Sequence, residues 1–499
     1  MSEFVNKEKD RLYRFLEMMP GMISWGIILT LILLSVVAPV ACAVFIIVFD
    51  FYWIIRTLYL TTLLLIAHRK LLRQKNKDWL KRSERLKGFE KIYHLVVFPV
   101  YKEGLDIVRP SLEALKASRY PADKMIVVVS FEERHKPSRQ TAAALEREFK
   151  SSFLEYVTTF HPDTIPGEGR VKGANATWAA QRGKESIERR HIPLEDVIIS
   201  CFDADTCVDK EYFGCLTAHF LSNPRPHQAS YQPIPVYNNN IWTAPSFARV
   251  VEMSSSFTQM IESMRLEKFV TFSSHSMSFK TLVEIDYWPV DMISDDSVVY
   301  WKAFLYYKGD YKVIPLYTTV SMDAAYTDRI LSTIWMQYRQ KRRWAWGVEN
   351  FPYVVRKFIR EHEIPLALKV RRSFHLLESH VTWAVWVVIL IIIAPLPIVL
   401  GGVIFQQLPI GFNLPRMTGL LFNFTAATSM LWVALTRTIL PPRPKNVSWF
   451  INVVMVMEWF IVPFIIILLG STPALDAQTR LLMGRYMKFF PTEKRRPVV

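Results

Sequence analysis

From Ser24 to Ala67 the only charges are Asp50 and Arg56. A membrane-spanning helix needs roughly 20 consecutive apolar residues, so this stretch predicts two spans, near 24–45 and 48–67, joined by a turn. It is too long and too apolar for one buried helix of a soluble protein. The polar segment 1–21 precedes it, and the length of the run excludes a cleaved signal peptide. Lys7, Lys9, Arg11 and Arg14 stand before the hairpin; His68, Arg69, Lys70, Arg73, Lys75 and Lys77 follow it. Positive charge flanking a pair of spans is the positive-inside pattern. It accounts for the net charge of +16 better than nucleic-acid binding does. Cys42, Cys201, Cys207 and Cys215 lack CxxC spacing, which argues against a disulfide framework or zinc site and fits a reducing cytosolic face.

The chain is 51% hydrophobic yet 21% charged, so the two classes must be segregated. Residues 90–345 form the polar-and-apolar alternating part. His94–Val100, Met125–Ser130, Phe153–Phe160 and Val197–Phe202 read as buried strands, and Leu105–Ser118 and Gly173–Arg190 as helices between them. Strand–helix alternation with nearly continuous apolar strands predicts a parallel sheet covered on both faces, with ligands at the carboxyl ends of its strands. Residues 346–378, with Arg356, Lys357, Lys369, Arg371 and Arg372, read as amphipathic helix at a membrane surface. Three apolar segments follow within 379–472, near 381–403, 418–438 and 449–470, and then a basic tail, 473–499. An enzyme domain and a tail on one side require an even number of crossings. Either the last segment, with Glu458 and Pro463, is re-entrant, or the tail lies outside.

Three constellations carry chemistry. Asp203 and Asp205 follow an apolar strand; two apart in extended chain, they point to one side and offer the hard oxygens that Mg2+ or Mn2+ favours. The competing reading is a polar turn closing the strand. Asp295 and Asp296 are adjacent carboxylates with apolar flanks, where repulsion biases one towards a raised pKa, suiting a general base; a solvated helix cap is the alternative. Gln340-Lys-Arg-Arg-Trp344 sets fixed cations, whose forks match phosphate oxygens, beside an indole that suits a sugar face. A basic membrane-surface helix competes with that reading.

In this order, Pro99-Val-Tyr-Lys-Glu103, Lys172-Gly-Ala-Asn175, Asp203-Ala-Asp205, Asp295-Asp296 and Gln340-x-x-Arg343-Trp344 resemble the family 2 glycosyltransferases, above all the membrane-integrated branch of cellulose, hyaluronan and chitin synthases. The motifs cover roughly residues 90–350; the flanking helices match by layout only. The resemblance implies an α/β GT-A-like, Rossmann-like catalytic domain with α-helical transmembrane segments. It places Tyr101 and Glu103 at the nucleotide, Lys172 and Asn175 near the nucleotide sugar, and Asp203 and Asp205 at a Mg2+ or Mn2+ ion and the diphosphate. Asp296 becomes the catalytic base with Asp295 its neighbour, Gln340 and Arg343 diphosphate contacts, and Trp344 the acceptor platform. In one departure the second strand ends Ser130-Phe-Glu-Glu-Arg134 where the family has an Asp-rich turn. Glu132 or Glu133 substitutes, which leaves uracil or guanine open, with a UDP-linked donor expected. In another, Ser273-Ser-His-Ser-Met-Ser-Phe279 differs from the synthases' acceptor-facing loop.

The function expected is metal-dependent, inverting transfer onto a growing polysaccharide, from a cytosolic domain of an integral cell-membrane protein. Single transfer to a membrane lipid is the alternative, and a non-catalytic transporter or scaffold the third class. The partners expected are a nucleotide sugar, a glycan or lipid acceptor and membrane lipid, with no nucleic acid. The few spans call for a homo-oligomer or export partner to complete a pore.

Overall fold

The computed structural model describes residues 10–445, 447–490, 492, 494 and 496. Lys7 and Lys9 of the basic N-terminal flank lie outside the described residues. The hairpin consists of α1, Arg11–Val37, and α2, Pro39–Lys75, with Ala38 as the turn. The break thus falls well before the expected one. Its cause is Pro39, which lacks an N–H and disfavours helical geometry at the residue before it. Asp50 therefore sits twelve residues into α2, roughly 18 Å along it at 1.5 Å per residue, rather than near the turn. It accepts a hydrogen bond of 2.9 Å from Thr418. Arg56 lies 4.9 Å from the Trp53 ring and 3.4 Å from Glu378.

Between the membrane helices stands an eight-stranded sheet in the order β3-β2-β1-β4-β7-β6-β8-β5. Its strands are β1 Tyr93–Val100, β2 Met125–Glu132, β3 Glu155–His161, β4 Val197–Cys201, β5 Cys207–Val208, β6 Ala229–Tyr237, β7 His275–Ser278 and β8 Lys312–Met322. The first four are parallel, as the apolar runs predict. Beyond β4 the sheet is mixed: β7 runs antiparallel to β4 and β6, and β6 runs parallel to β8. These further strands are not among the four that the apolar runs mark. The register of β6 against β8 shifts between Gln232 and Ile234, where Pro233 cannot donate to the ladder.

Helix α3, Lys172–Arg189, shows how sequence sets packing here. Ala176, Ala179 and Ala180 are fully buried against the sheet, and a Cβ at Gly183 would stand 2.6 Å from Leu95. Small residues let the helix lie close on β1 and β2, which fixes its first turn at their carboxyl ends. Helix α4, Ser246–Glu262, covers β6; α5, Asp295–Tyr306, begins at the acidic pair; α6, Ile330–Ala345, carries the Gln340–Trp344 motif.

Among the described residues four helices are long and apolar enough to cross a membrane. Besides α1 and α2 they are α7, which begins at Leu366 and continues in wider turns to Ile393, and α8, Pro409–Ile439. No break separates the basic part of α7 from its apolar part, so the expected interfacial stretch is one short helix, Asn350–Arg360, and the root of a span. The third apolar segment is helical without a gap but changes pitch several times between Ile451 and Ser471, and then becomes α9, Thr472–Leu482. Its start follows the end of α8, where Asn238 of the sheet domain donates to the Ile439 carbonyl at 3.0 Å. Its end is held by Trp383 on Gly470, 3.1 Å, and by Gln478, which bonds Ser24 and the His380 carbonyl. Its start therefore lies against the sheet domain and its end against α1 and α7, while Lys494 and Arg496 reach Asp205 and Asp323.

Arg249 of α4 and Glu458 form a buried ion pair that fastens this segment. Removing one partner of such a pair leaves an uncompensated charge, at a cost of about 3–5 kcal/mol. Arg249→Met is expected to lower stability in detergent by that order, and Arg249→Met with Glu458→Met by clearly less. Equal losses in a thermal-unfolding double-mutant cycle would refute the pairing.

Candidate active site

The carboxyl ends of β1, β2 and β4 and the first turns of α3 and α5 meet in one place, and the acidic motifs converge there. The centre is Lys172, at the start of α3. Its ammonium lies 2.7 Å from Asp203 and 3.1 Å from both carboxylate oxygens of Asp296. Burial opposes the ammonium's charge, but Asp203 and Asp296 together hold it well above the ordinary lysine value. Burial likewise works against charge on Asp203; Lys172, Lys494 and the Ser273 hydroxyl, 2.6 Å away, hold it well below the carboxylate range.

Asp203 and Asp205 lie past the end of β4 in a turn, not on an extended strand: the Thr206 N–H bonds the Asp203 carbonyl at 2.9 Å. Lys494 is nonetheless in electrostatic reach of both carboxylates. Asp203 faces Lys172, whereas Asp205 is fully buried and accepts the Asp323 N–H at 2.8 Å. Lys494 of the tail bonds the other Asp205 oxygen, and Arg496 sits on Asp323 at 2.8 Å and on the Asp205 carbonyl. Burial first, and Asp205 second, push Asp323 up to about 6, with Arg496 opposing. Among the described residues no three His, Cys, Asp or Glu side chains are spaced to enclose an ion. The donor set is nonetheless hard oxygen, and a cationic side chain already rests against it, which is the chemistry a divalent ion would meet.

The acidic pair heads α5, where the helix dipole favours negative charge. Asp295 is buried, with Oδ2 lacking a hydrogen-bond partner; burial, and then Asp296, raise its pKa well above the ordinary value. The raised carboxyl of the pair is thus Asp295, and Asp296 is the one that faces Lys172. Ser294 bonds Glu349 at 2.7 Å and does not cap the helix, so the solvated-cap reading does not hold.

The expected nucleotide residues lie at the carboxyl ends of β1 and β2 and on α3. Glu103 accepts the N–H groups of Tyr101 and Lys102, at 2.8 and 3.1 Å, and so shapes its own loop. The Arg134 guanidinium lies 4.4 Å from the Tyr101 ring centre. Of the two glutamates ending β2, Glu132 is buried and Glu133 points outward towards Arg139. Glu132 is already engaged by Arg134 at 3.3 Å and by His161 at 3.5 Å. Burial opposes a charge on His161, but Glu132 and Glu168 raise it above its ordinary value. Asn175 donates to the Val100 and Ser130 carbonyls, tying the ends of β1 and β2, and its Oδ1 has no hydrogen-bond partner.

On α6 the spacing of Gln340, Arg343 and Trp344 places them on one face. Gln340 is buried with Oε1 lacking a partner. Arg343 lies over Phe489 of the tail at 5.2 Å, and Trp344 is 3.7 Å from the Lys341 ammonium and 6.0 Å from the Tyr237 ring. Burial pushes Lys341 down to about 8, with Glu252 opposing.

Sequence reasoning missed Asp323, Ser273, Lys494 and Arg496. A carboxylate at the end of the long strand β8 was a usable signal for Asp323. The tail cations read as membrane flank, and only the fold brings them here. Gly173 is a further constraint, since a Cβ there would stand 2.2 Å from the Pro289 carbonyl and 2.9 Å from Asp295. Gly173→Ala is expected to cost about 1–3 kcal/mol and most of the activity, because it pushes Lys172 and Asp295 apart. An unchanged melting temperature and initial rate would refute that.

The mixed sheet thus carries acidic motifs at its strand ends, and the Gln340–Trp344 helix lies beside the apolar helices. Residues 198–462 match the model of glycosyl transferase family group 2, and the chain belongs to that family. No curated protein matches the chain. Among solved structures it is similar to a mannosyltransferase from Pyrobaculum calidifontis in complex with GDP-Man and Mn2+. That match has 15% identity and a TM-score of 0.42, covering 76% of this chain and 98% of that one. It is also similar to residues 1–349 of TarS from S. aureus, with 11% identity and a TM-score of 0.38, covering 80% and 94%. The same TarS segment in complex with UDP-GlcNAc has 12% identity and a TM-score of 0.39, covering 80% and 94%.

Proposed function

We propose that the protein transfers a sugar from a nucleotide diphospho-sugar, UDP-linked by expectation, onto a growing glycan by one inverting displacement. The observation that carries this reading is the single ammonium of Lys172 shared by Asp203 and Asp296. It places a prospective leaving-group site and a prospective base on either side of one cation. The acceptor hydroxyl attacks the anomeric carbon, the bond to the diphosphate oxygen breaks with its electron pair, and the proton goes to Asp296. Lys172 must first leave Asp296, and donor phosphates are the group that would draw it away. Arg343, with Gln340, takes up charge on the departing diphosphate. Trp344 offers the acceptor sugar a flat face. Tyr101, Glu103, Glu132 and Asn175 frame the nucleotide. Asp203 and Asp205 would hold Mg2+ or Mn2+, which when bound neutralises diphosphate charge.

The catalytic domain is assigned to the cytosolic face of the cell membrane, where nucleotide sugars are made, with the basic flanks on the same side. Four long apolar helices among the described residues are few for a self-contained conduit. That observation supports a homo-oligomer or export partner, and it also favours a second reading, single transfer to a membrane lipid.

Purified protein in nanodiscs, given UDP- and GDP-sugars with Mg2+ or Mn2+, is expected to release nucleotide from one donor and to give a product ladder. One added sugar per acceptor would select the lipid reading, and chelation should abolish release. Asp296→Asn is expected to lower turnover about 10²–10⁴-fold with donor binding intact; wild-type turnover in that variant would rule out its role as base.

A further inference from the structure

The loop from Thr271 to His275 touches both halves of the site, although its sequence matches no expected motif. The Thr271 hydroxyl donates to the Asp296 carbonyl at 2.6 Å, and Ser273 donates to Asp203 at 2.6 Å. Gln232 clamps the loop from β6, accepting the Phe272 N–H at 3.0 Å and donating to the Ser273 carbonyl at 3.2 Å. Ser274 is held at φ 63°, a left-handed conformation that costs a non-glycine residue energy and persists only where its surroundings fix it. The consequence of that turn is the placement of His275. Its ring is fully buried on β7, with Nδ1 3.7 Å from an Asp296 carboxylate oxygen.

The tautomer of His275 follows from its neighbours. The Trp288 indole N–H can only donate, and it donates to Nε2 at 3.3 Å. Nε2 is therefore the lone-pair nitrogen, and the proton of the neutral ring is on Nδ1, where the Phe272 carbonyl accepts it at 3.1 Å. Burial, the largest effect, pushes the imidazole below its ordinary pKa; Asp296 opposes this and Lys172 assists. A neutral N–H dipole thus faces the carboxylate.

We infer that His275 is a positioning residue, whose Nδ1–H, held by the Phe272 carbonyl in the present arrangement, is shared with Asp296 and orients it once Lys172 has turned to the donor. At 3.7 Å the contact is longer than a hydrogen bond. In the present arrangement both Asp296 oxygens are instead held at 3.1 Å by Lys172. When that ammonium leaves, Asp296 must still aim at the acceptor, and a neutral donor can orient it without quenching it as a base. The other groups around Asp296 are Cys201 and Asp203 at the end of β4 and Asp295 on its own helix, with Arg343 reaching Asp295 from α6. The inference rests on Asp296 being the base.

The test is steady-state kinetics of full-length protein from pH 5.5 to 9 for His275→Leu, His275→Asn and His275→Gln, with thermal unfolding as the control. His275→Leu is expected to lower kcat about 10–100-fold, within the range of acid–base positioning effects, with donor KM unchanged and the acidic limb of kcat moved to higher pH. His275→Asn, whose amide N–H stands near the place of Nδ1–H, should restore most of kcat and the limb, and His275→Gln should not. Wild-type kcat and pH profile in His275→Leu would overturn the proposal. So would equal losses in folded His275→Asn and His275→Gln, a comparison that survives even if the leucine variant fails to fold. Full turnover by Asp296→Asn would instead remove the base assignment, and this proposal with it. An inactive Asp296→Asn beside an unaffected His275→Leu would remove this one only.

Discussion

Asp203, Asp205, Asp295, Asp296 and Asp323 converge in a largely buried space at the strand ends. Charge of that density cannot leave water without cations beside it or protons on it, because desolvating an ion costs several kcal/mol. Both remedies operate here. Lys172 neutralises Asp203 and Asp296, the tail cations reach Asp205 and Asp323, and Asp295 is pushed towards its protonated form. The layout of the domain follows from this demand. Helix α3 must start at the sheet's carboxyl edge to deliver Lys172, and its alanine face against β1 and β2 is what lets it do so.

The membrane part serves the same centre. Helix α9 is bound to α1 through Gln478 on Ser24 and Thr479 on Trp25, and through Arg14 on the Leu481 carbonyl at 2.7 Å. Arg342 of the QxxRW helix pairs with Asp476 of α9 at 2.7 Å. Helix α6 therefore rests directly on the element that closes the membrane segments. Past α9 the chain re-enters its own site through Lys494 and Arg496.

Much of this was legible in the sequence because its signals are local. The apolar run marked a hairpin, strand alternation marked the sheet, and spacing marked Asp203, Asp296 and Gln340-x-x-Arg343-Trp344. The failures share a cause, which is that long-range geometry overrode a local rule. Asp203 and Asp205 sit in a turn closed at Thr206 where strand alternation would have kept the chain extended. Pro39 moved the hairpin turn, a signal present in the sequence but outweighed by the search for two equal spans. The neutralisation of Glu132 by Arg134 and His161, and the arrival of Asp323 from β8, depend on strand order, which no local pattern carries. The loop at Ser273–His275 registered only as a mismatch, since what matters there is a backbone angle.

The tail has a thermodynamic consequence. Lys494 belongs to the same chain as Asp205, and a group tethered to its own site meets it at an effective concentration of order millimolar. Lys494 is therefore a competitor that dilution cannot remove. The divalent ion proposed for these carboxylates would have to outcompete it, so the apparent metal affinity would reflect Lys494's hold on Asp205 as much as the carboxylates' own preference. Loading the site would then be an exchange of one cation for another.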